Sequence, residues 1–138
     1  MRRRSYVLTT RAVADLREAR AWSRARWGKE LTNRYVTDLH NGAEYVAENH
    51  ASFRDRHELA GGTALLLYPV REHYLVFEPL APRLIAIVAV IRQGRDIPAI
   101  LQKWAVPIQR DLIEIRGMIE RREIRARARP APKPRQKK

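Results

Sequence analysis

Apolar side chains recur at helical spacing in two consecutive stretches near the start of the chain. The first stretch, residues 11–27, places apolar or small side chains at Val13, Leu16, Ala19, Ser23 and Trp27. The second, residues 29–48, continues the spacing at Leu31, Tyr35, Leu39, Ala43 and Val46. Gly28 separates the two stretches, and glycine commonly ends a helix. The pattern therefore predicts a helical hairpin, preceded by a short β-strand over residues 5–8.

Three strand-like runs follow the predicted hairpin, at residues 64–70, 73–80 and 83–93. Connections of about two residues join them, which predicts tight antiparallel turns. The order is therefore strand, two helices and three consecutive strands. This order predicts an α+β fold in which the hairpin covers one face of a mainly antiparallel sheet, with the last three strands forming a meander.

The last predicted strand is apolar on both faces. From Leu84 to Ile91, successive side chains point to opposite sides of a strand, yet all eight are apolar. A sheet with one solvated face would alternate apolar and polar residues, so this strand calls for cover on both sides. The hairpin supplies one cover. The other is supplied by the C-terminal segment of the chain, by a partner, or by the loops of a curled sheet.

The C-terminal part of the chain predicts a further amphipathic helix. Residues 97–104 indicate a short helix or turn, and Pro107 starts a new segment. Beyond it, apolar residues recur at Ile108, Leu112, Ile115 and Ile119. Lysine, arginine and proline dominate from Pro130 onward, where order is not expected. We therefore divide the chain into a main domain (1–104), a helical extension (105–128) and a disordered basic tail (129–138).

Length and composition limit the number of domains and the cellular compartment that we expect for the protein. The 138 residues provide one core of ordinary size, and the absence of cysteine excludes disulfides and thiolate metal sites. The arginines at residues 2–4 are not followed by the apolar segment of a secretory signal. The longest apolar run, residues 84–91, is too short to span a bilayer. We expect a cytoplasmic protein with no membrane contact.

The positive charge of the chain is concentrated at its two ends. The formal net charge is +13. The arginines at residues 2–4, together with the nine basic side chains and one glutamate of residues 121–138, account for +11 of it, so residues 5–120 carry only +2. A basic tail attracts nucleic acid or an acidic protein without sequence preference. It is equally typical of a solvated tail that aids solubility.

Several segments resemble ParE-type toxins of the RelE/ParE superfamily. That family begins with a short strand, a Ser/Thr cap, an Ala-x-x-Asp-Leu helix start and a Trp-Gly helix break, which correspond here to Tyr6, Thr9, Ala12-Val13-Ala14-Asp15-Leu16 and Trp27-Gly28. Residues 71–78 and 85–96 are similar to its middle and last strands. Gln93 stands where the family often has a histidine, and residues 105–138 extend beyond the family's usual end.

The resemblance implies the toxin of a type II toxin–antitoxin pair that inhibits DNA gyrase by binding. Its partner would be a small, acidic, helical antitoxin, with no cofactor. The antitoxin would bind apolar side chains of the hairpin and sheet, for which the candidates are Leu31, Tyr35, Leu75, Phe77, Ile85 and Ile87. The target would meet the basic residues Arg92, Arg95 and Lys103. A non-toxic relative that binds nucleic acid through its basic tail is a further interpretation of the sequence.

A RelE-like endoribonuclease that cleaves mRNA on the ribosome is the enzymatic alternative. Metal-independent cleavage needs a proton acceptor and cations around the phosphate, for which the candidates are Arg71, His73 and Arg92. A histidine beside Tyr74 on a strand is, however, more typical of a packed residue. His40, His50 and His57 do not have the spacing of metal ligands, so no metal site is predicted. The helical tryptophan Trp27 is interpreted as a core residue.

Overall fold

The computed structural model describes residues 2–52 and 65–126, with only the backbone of Arg2 and Arg3. The strands are β1 (Arg2–Arg4), β2 (Tyr6–Leu8), β3 (Leu66–Val70), β4 (His73–Ala81), β5 (Leu84–Arg92) and β6 (Ile124–Ala126). The helices are α1 (Thr10–Asn49), α2 (Ile97–Lys103) and α3 (Ala105–Glu120), and a 3-10 turn spans His50–Ser52. These helices and strands confirm the predicted α+β class.

The main sheet has four strands in the order β2-β5-β4-β3. Strands β3, β4 and β5 form the predicted antiparallel meander, with His73 opposite Arg92 at one end. Strand β2 lies parallel to β5, with Tyr6 opposite Ile85. The sheet is therefore mixed, and β5 is an inner strand with neighbours on both edges.

The predicted helical hairpin is present within α1, which changes direction at Gly28. This glycine has φ 85° and ψ −178°, a conformation that is essentially restricted to glycine. We call the part of α1 before Gly28 the first arm and the part after it the second arm. The Thr32 hydroxyl donates a hydrogen bond to the Gly28 carbonyl oxygen (2.7 Å) and stabilises the bend. The first arm runs toward Arg92 and the second runs back toward Arg83.

The buried face of the first arm agrees only in part with the predicted one. The residues that point inward are Ala12, Asp15, Ala19 and Ser23. Val13 and Trp27 are 37 % and 38 % exposed, so the interpretation of Trp27 as a core residue is wrong. Ala19 and Ser23 are buried as predicted, and Leu16 is half-buried against the same core. Asp15 is buried beside them, and its carboxylate accepts a hydrogen bond from the Val90 backbone N–H (3.0 Å). A polar residue therefore shares the buried face with the apolar positions that the periodicity predicts.

The second face of the sheet is covered by the C-terminal helices of the chain itself. Ile108 and Leu112 of α3 are both 2 % exposed and belong to the same buried cluster as Val76 and Val88. Of the covers that the sequence left open, the C-terminal segment is the one observed. Helix α3 starts before Pro107, which lies in the first turn, where proline costs no hydrogen bond.

The chain beyond α3 forms an element that the sequence did not predict. It turns after Glu120 and enters β6, which pairs in parallel with β1 and places Arg3 opposite Arg125. The interpretation of residues 105–128 as helical is therefore wrong for residues 121–126, where the chain turns and Ile124 packs into a buried cluster with Val7 and Leu84. The predicted tail, residues 129–138, lies outside the described residues. Within the described part of the chain, no helix is long and apolar enough to cross a membrane.

Candidate functional site

A cleft of about 430 Å³ opens where the end of β5 meets the first arm of α1 and helix α2. The three predicted target-binding residues, Arg92, Arg95 and Lys103, all line it. Arg92 ends β5, and Arg95 follows the turn at Gly94, which has φ 90°. The carboxylate of Asp96 then accepts a hydrogen bond from Ala99 N–H (3.2 Å) and starts α2. A strand end and a capped helix therefore bring these cations to one opening.

Two tryptophans form the aromatic walls of this cleft. The Arg11 guanidinium lies 4.5 Å from the ring centroid of Trp104, and that of Arg92 lies 5.6 Å from Trp22. Lys103 also approaches the Trp104 ring, at 5.5 Å. Each such cation–π contact contributes about 0.5–1 kcal/mol at an exposed site. These contacts position Arg11, Arg92 and Lys103 at the wall of the cleft.

The cleft has an excess of positive charge. Arg11 is paired with Asp15 (2.7 Å) and lies 3.5 Å from Glu18. In contrast, Arg92, Arg95 and Lys103 have no acidic partner within 4.0 Å among the described residues. A cleft with unneutralised cations and aromatic walls suits an acidic or phosphate-bearing partner.

His73 lies at the back of the cleft as a buried, neutral group. Its Nδ1 is hydrogen-bonded with the Tyr35 hydroxyl, and its ring packs edge-on against Trp22 at 5.3 Å. Burial, followed by the nearby positive charge of Arg92, lowers the pKa of His73 to about 4. Burial also raises the pKa of Tyr35 to about 12, so both partners are uncharged at neutral pH. This packing agrees with the interpretation of His73 as a satisfied strand residue.

Asp15 links the first arm to the sheet beneath the cleft. Burial raises its pKa, while the hydrogen bond from Val90 and the Arg11 guanidinium act in the opposite direction. The Arg11 Nε donates to the carboxylate over 2.8 Å. Sequence reasoning missed both Asp15 and Arg11 as site residues, since their proximity to β5 depends on how the arm lies on the sheet.

The candidate nuclease residues are only partly brought together. His73 and Arg92 face each other across β4 and β5. Arg71 lies in the turn before β4 with φ 51°, and its guanidinium pairs with Asp38 of the second arm. Gln93, which stands where the resemblance expects a histidine, donates through Nε2 to the Arg71 carbonyl oxygen (2.8 Å). The Arg71 side chain is thus held against the hairpin, and it does not line the cleft.

Most of the predicted antitoxin-binding side chains lie in the core. Only Leu31 is exposed, at 47 %. The others are at most 2 % exposed, namely Tyr35, Leu75, Phe77, Ile85 and Ile87. These five side chains are therefore not exposed for docking, because the hairpin lies directly on that face of the sheet.

Two members of the set line the floor of an apolar groove between the arms. This groove has a volume of about 350 Å³. Leu75 and Ile87 form its floor, and its walls and rim are formed by Tyr6, Leu8, Leu16, Val36, Thr37, Leu39, His40 and Ala43. The groove is the part of the predicted surface that the hairpin leaves open.

His40 and His50 are engaged in hydrogen bonds within the chain. His40 Nδ1 is hydrogen-bonded with the Tyr6 hydroxyl, and His50 Nε2 with the Ala81 carbonyl oxygen (3.0 Å). His57 lies outside the described residues. Within the described ranges, no three histidine, aspartate or glutamate side chains converge as a metal site would require.

Comparison with known proteins connects this fold to a family. The family model described as "ParE toxin of type II toxin-antitoxin system, parDE" matches residues 6–97. The chain belongs to the ParE toxin family. It is 31 % identical over 93 residues to "Toxin ParE" of Escherichia coli, covering 67 % of this chain and 88 % of that protein. The protein is thus a ParE-type toxin of a type II toxin–antitoxin system.

A solved structure shows the same fold. "Chromosomal ParDE TA system from P. aeruginosa" matches with a TM-score of 0.51 and 18 % identity, covering 63 % of this chain and 92 % of that one. The family match ends at Ile97, the first residue of α2. Helix α3 and strand β6 of this ParE-type toxin therefore lie beyond the matched region.

Proposed function

We propose that this ParE-type toxin inhibits DNA gyrase by binding, with Arg92, Arg95 and Lys103 of the cleft in contact with the target. The observation that carries this proposal is the convergence of these three cations at one opening without acidic partners among the described residues. Such a surface is complementary to a target that is acidic or holds DNA, and it speeds encounter with that target. Inhibition by occupancy requires no bond-making by the toxin.

An assay with purified proteins tests this proposal. Replacing the three cations (R92Q/R95Q/K103Q) is expected to raise the toxin concentration that half-inhibits plasmid supercoiling by gyrase about tenfold or more, because three favourable charges no longer face the target. The matched control R17Q/R20Q/R24Q removes the same charge from exposed positions of the first arm. It should inhibit almost as well as the wild type.

Two outcomes would contradict the binding proposal. Supercoiling that continues unchanged at saturating wild-type toxin would remove gyrase as the target. The facing pair His73 and Arg92 favours the RelE-like nuclease as the second candidate. Primer extension on cellular mRNA after toxin induction distinguishes the two, since codon-phased cleavage that disappears in His73→Ala would establish the nuclease instead.

The antitoxin is proposed to insert apolar side chains into the groove between the arms. A small, acidic, helical partner fits this site because the groove is apolar, and because the basic ends of the chain attract negative charge. Leu31, on the exposed surface of the second arm, extends the apolar contact beyond the groove.

Blocking the groove is expected to separate neutralisation from toxicity. Val36→Arg places a charged side chain at the groove wall, which should weaken binding of the antitoxin encoded beside the toxin gene about tenfold or more. Growth arrest should persist when both proteins are expressed. Asn33→Arg adds the same charge at an exposed position outside the groove and should leave neutralisation intact. Equal neutralisation of both variants would show that the antitoxin binds elsewhere.

A further inference from the structure

The two basic ends of the chain meet in one small parallel sheet. Strand β1 consists of three arginines, and it pairs with β6 in a register that sets Arg3 opposite Arg125. The turn that leads into β6 adds Arg121 and Arg122. We call residues 2–4 and 121–126 the terminal platform. It joins segments that are more than a hundred residues apart in sequence, so their charge is a feature of the fold.

Much of the positive charge on the platform is not neutralised within the chain. Arg121 pairs with Glu123 (2.6 Å) and lies 3.6 Å from Glu114. For Arg4, Arg122 and Arg125, the described residues supply no acidic partner within 4.0 Å. The sequence then continues with six more basic residues at 127–138.

The platform is distant from the cleft. Strand β2 follows β1 directly and places Tyr6 beside Ile85, near the start of β5, whereas the cleft lies at Arg92, where β5 ends. A nine-residue strand is about 30 Å long. The platform and the cleft are therefore two positive surfaces at opposite ends of the central strand.

We propose that the terminal platform binds the phosphate backbone of double-stranded nucleic acid, independently of the toxin's target. All of its cations are arginines, whose planar guanidinium groups pair with phosphate oxygens in a bidentate manner. Residues 2–4 and 121–126 contain no aromatic side chain on which an unpaired base could stack. The contact is therefore with the backbone and is independent of base sequence.

The chemistry of the platform does not suit the other polyanionic partners. Stable binding to a lipid surface combines basic groups with exposed apolar anchors, but Ile124 of the platform is only 5 % exposed and packs inward. An acidic helical peptide needs an apolar groove. The apolar grooves seen among the described residues are lined by α1 and the main sheet, or by residues 105–113 of α3, and not by the platform. Arginines without exposed apolar or aromatic neighbours leave the phosphate backbone as the matching ligand.

Binding of the full-length toxin to a labelled DNA duplex of about 20 base pairs, without gyrase, tests the proposal. Fluorescence anisotropy from about 50 to 200 mM salt gives the affinity and its salt dependence. The variant R4Q/R122Q/R125Q is expected to bind about tenfold more weakly. It should also reduce the slope of log affinity against log salt by about 0.9 for each phosphate that the variant no longer neutralises.

The variant R17Q/R20Q/R24Q is the matched control, since it removes the same charge from exposed positions of the first arm that belong neither to the platform nor to the cleft. It should retain most of the duplex affinity. Equal decreases in both variants would show that net charge alone drives binding and would overturn the proposal. So would equal displacement of the duplex by polyglutamate of the same total charge.

Two further measurements test whether the duplex binds the tail and whether it must be double-stranded. A full-length variant with glutamine at the six basic positions of residues 127–138 separates the tail from the platform. Complete loss of binding in that variant, with no effect of R4Q/R122Q/R125Q, would move the site to the tail and overturn the proposal. Stronger binding of a single strand than of the duplex would also overturn it. Because gyrase is absent, none of these results depends on the proposed function.

Discussion

The free energy of unfolding of the Leu112→Ala protein is expected to be about 2–5 kcal/mol lower than that of the wild type. Leu112 is 2 % exposed and lies in the cluster that α3 forms with the second face of the sheet. Truncation removes buried apolar surface and leaves a cavity that the rigid strands cannot fill. Urea unfolding at neutral pH, followed by circular dichroism, measures the difference.

The neighbouring Ile113→Ala substitution is the matched control because Ile113 lies on the same helix and is 71 % exposed. Its expected effect is within about 0.5 kcal/mol of zero. If the two substitutions had equal effects, α3 would not be packed on the sheet. The predicted contrast makes the C-terminal helix a structural part of the toxin domain, although α3 lies beyond the family match.

Protonation of His73 alone is expected to lower the free energy of unfolding by about 3 kcal/mol between pH 7 and pH 4. The folded protein holds the pKa of this imidazole at about 4, below its ordinary value of 6.5. The unfolded chain therefore binds the proton more readily in this interval. The stabilisation is complete above pH 6.5, and it is lost as the pH falls toward 4. Denaturant unfolding at several pH values provides the measurement.

His73→Gln should remove this pH dependence while retaining an oxygen that can accept from the Tyr35 hydroxyl. The variant is expected to be less stable at pH 7, with the deficit shrinking by about 3 kcal/mol at pH 4. The raised pKa of Asp15 contributes in the opposite direction, but it is common to both proteins and cancels in the comparison. A deficit that stays constant with pH would contradict a buried, neutral His73.

Much of the fold could be predicted because its signals are local. The helical spacing on either side of Gly28 correctly predicted a hairpin, and short connections predicted the antiparallel meander. The apolar run of β5 predicted cover on both faces, which the structure confirms. The pairing of β1 with β6 could not be predicted, since three-residue strands carry almost no periodicity and their partners lie far apart in sequence.

The candidate site was predicted only in part. Arg92, Arg95 and Lys103 follow one another around the end of β5, so their approach to a common opening depends on local geometry. The indoles of Trp22 and Trp104 come from two different helices, and their contacts with arginines exist only once those helices are packed. Sequence periodicity also overestimated the accessible apolar surface, because it cannot tell an interior face from a docking face.

The sequence by itself determined the class of fold, the order of the elements and the likeness to ParE toxins, because each depends on residues that are close together in the chain. Only the tertiary structure decided which apolar face remains open, which cations stay unpaired and where the basic ends lie. These properties depend on contacts between distant segments, such as Asp15 with Val90 and Arg3 with Arg125. Such contacts form only when burial of the shared core fixes the helices and strands relative to one another.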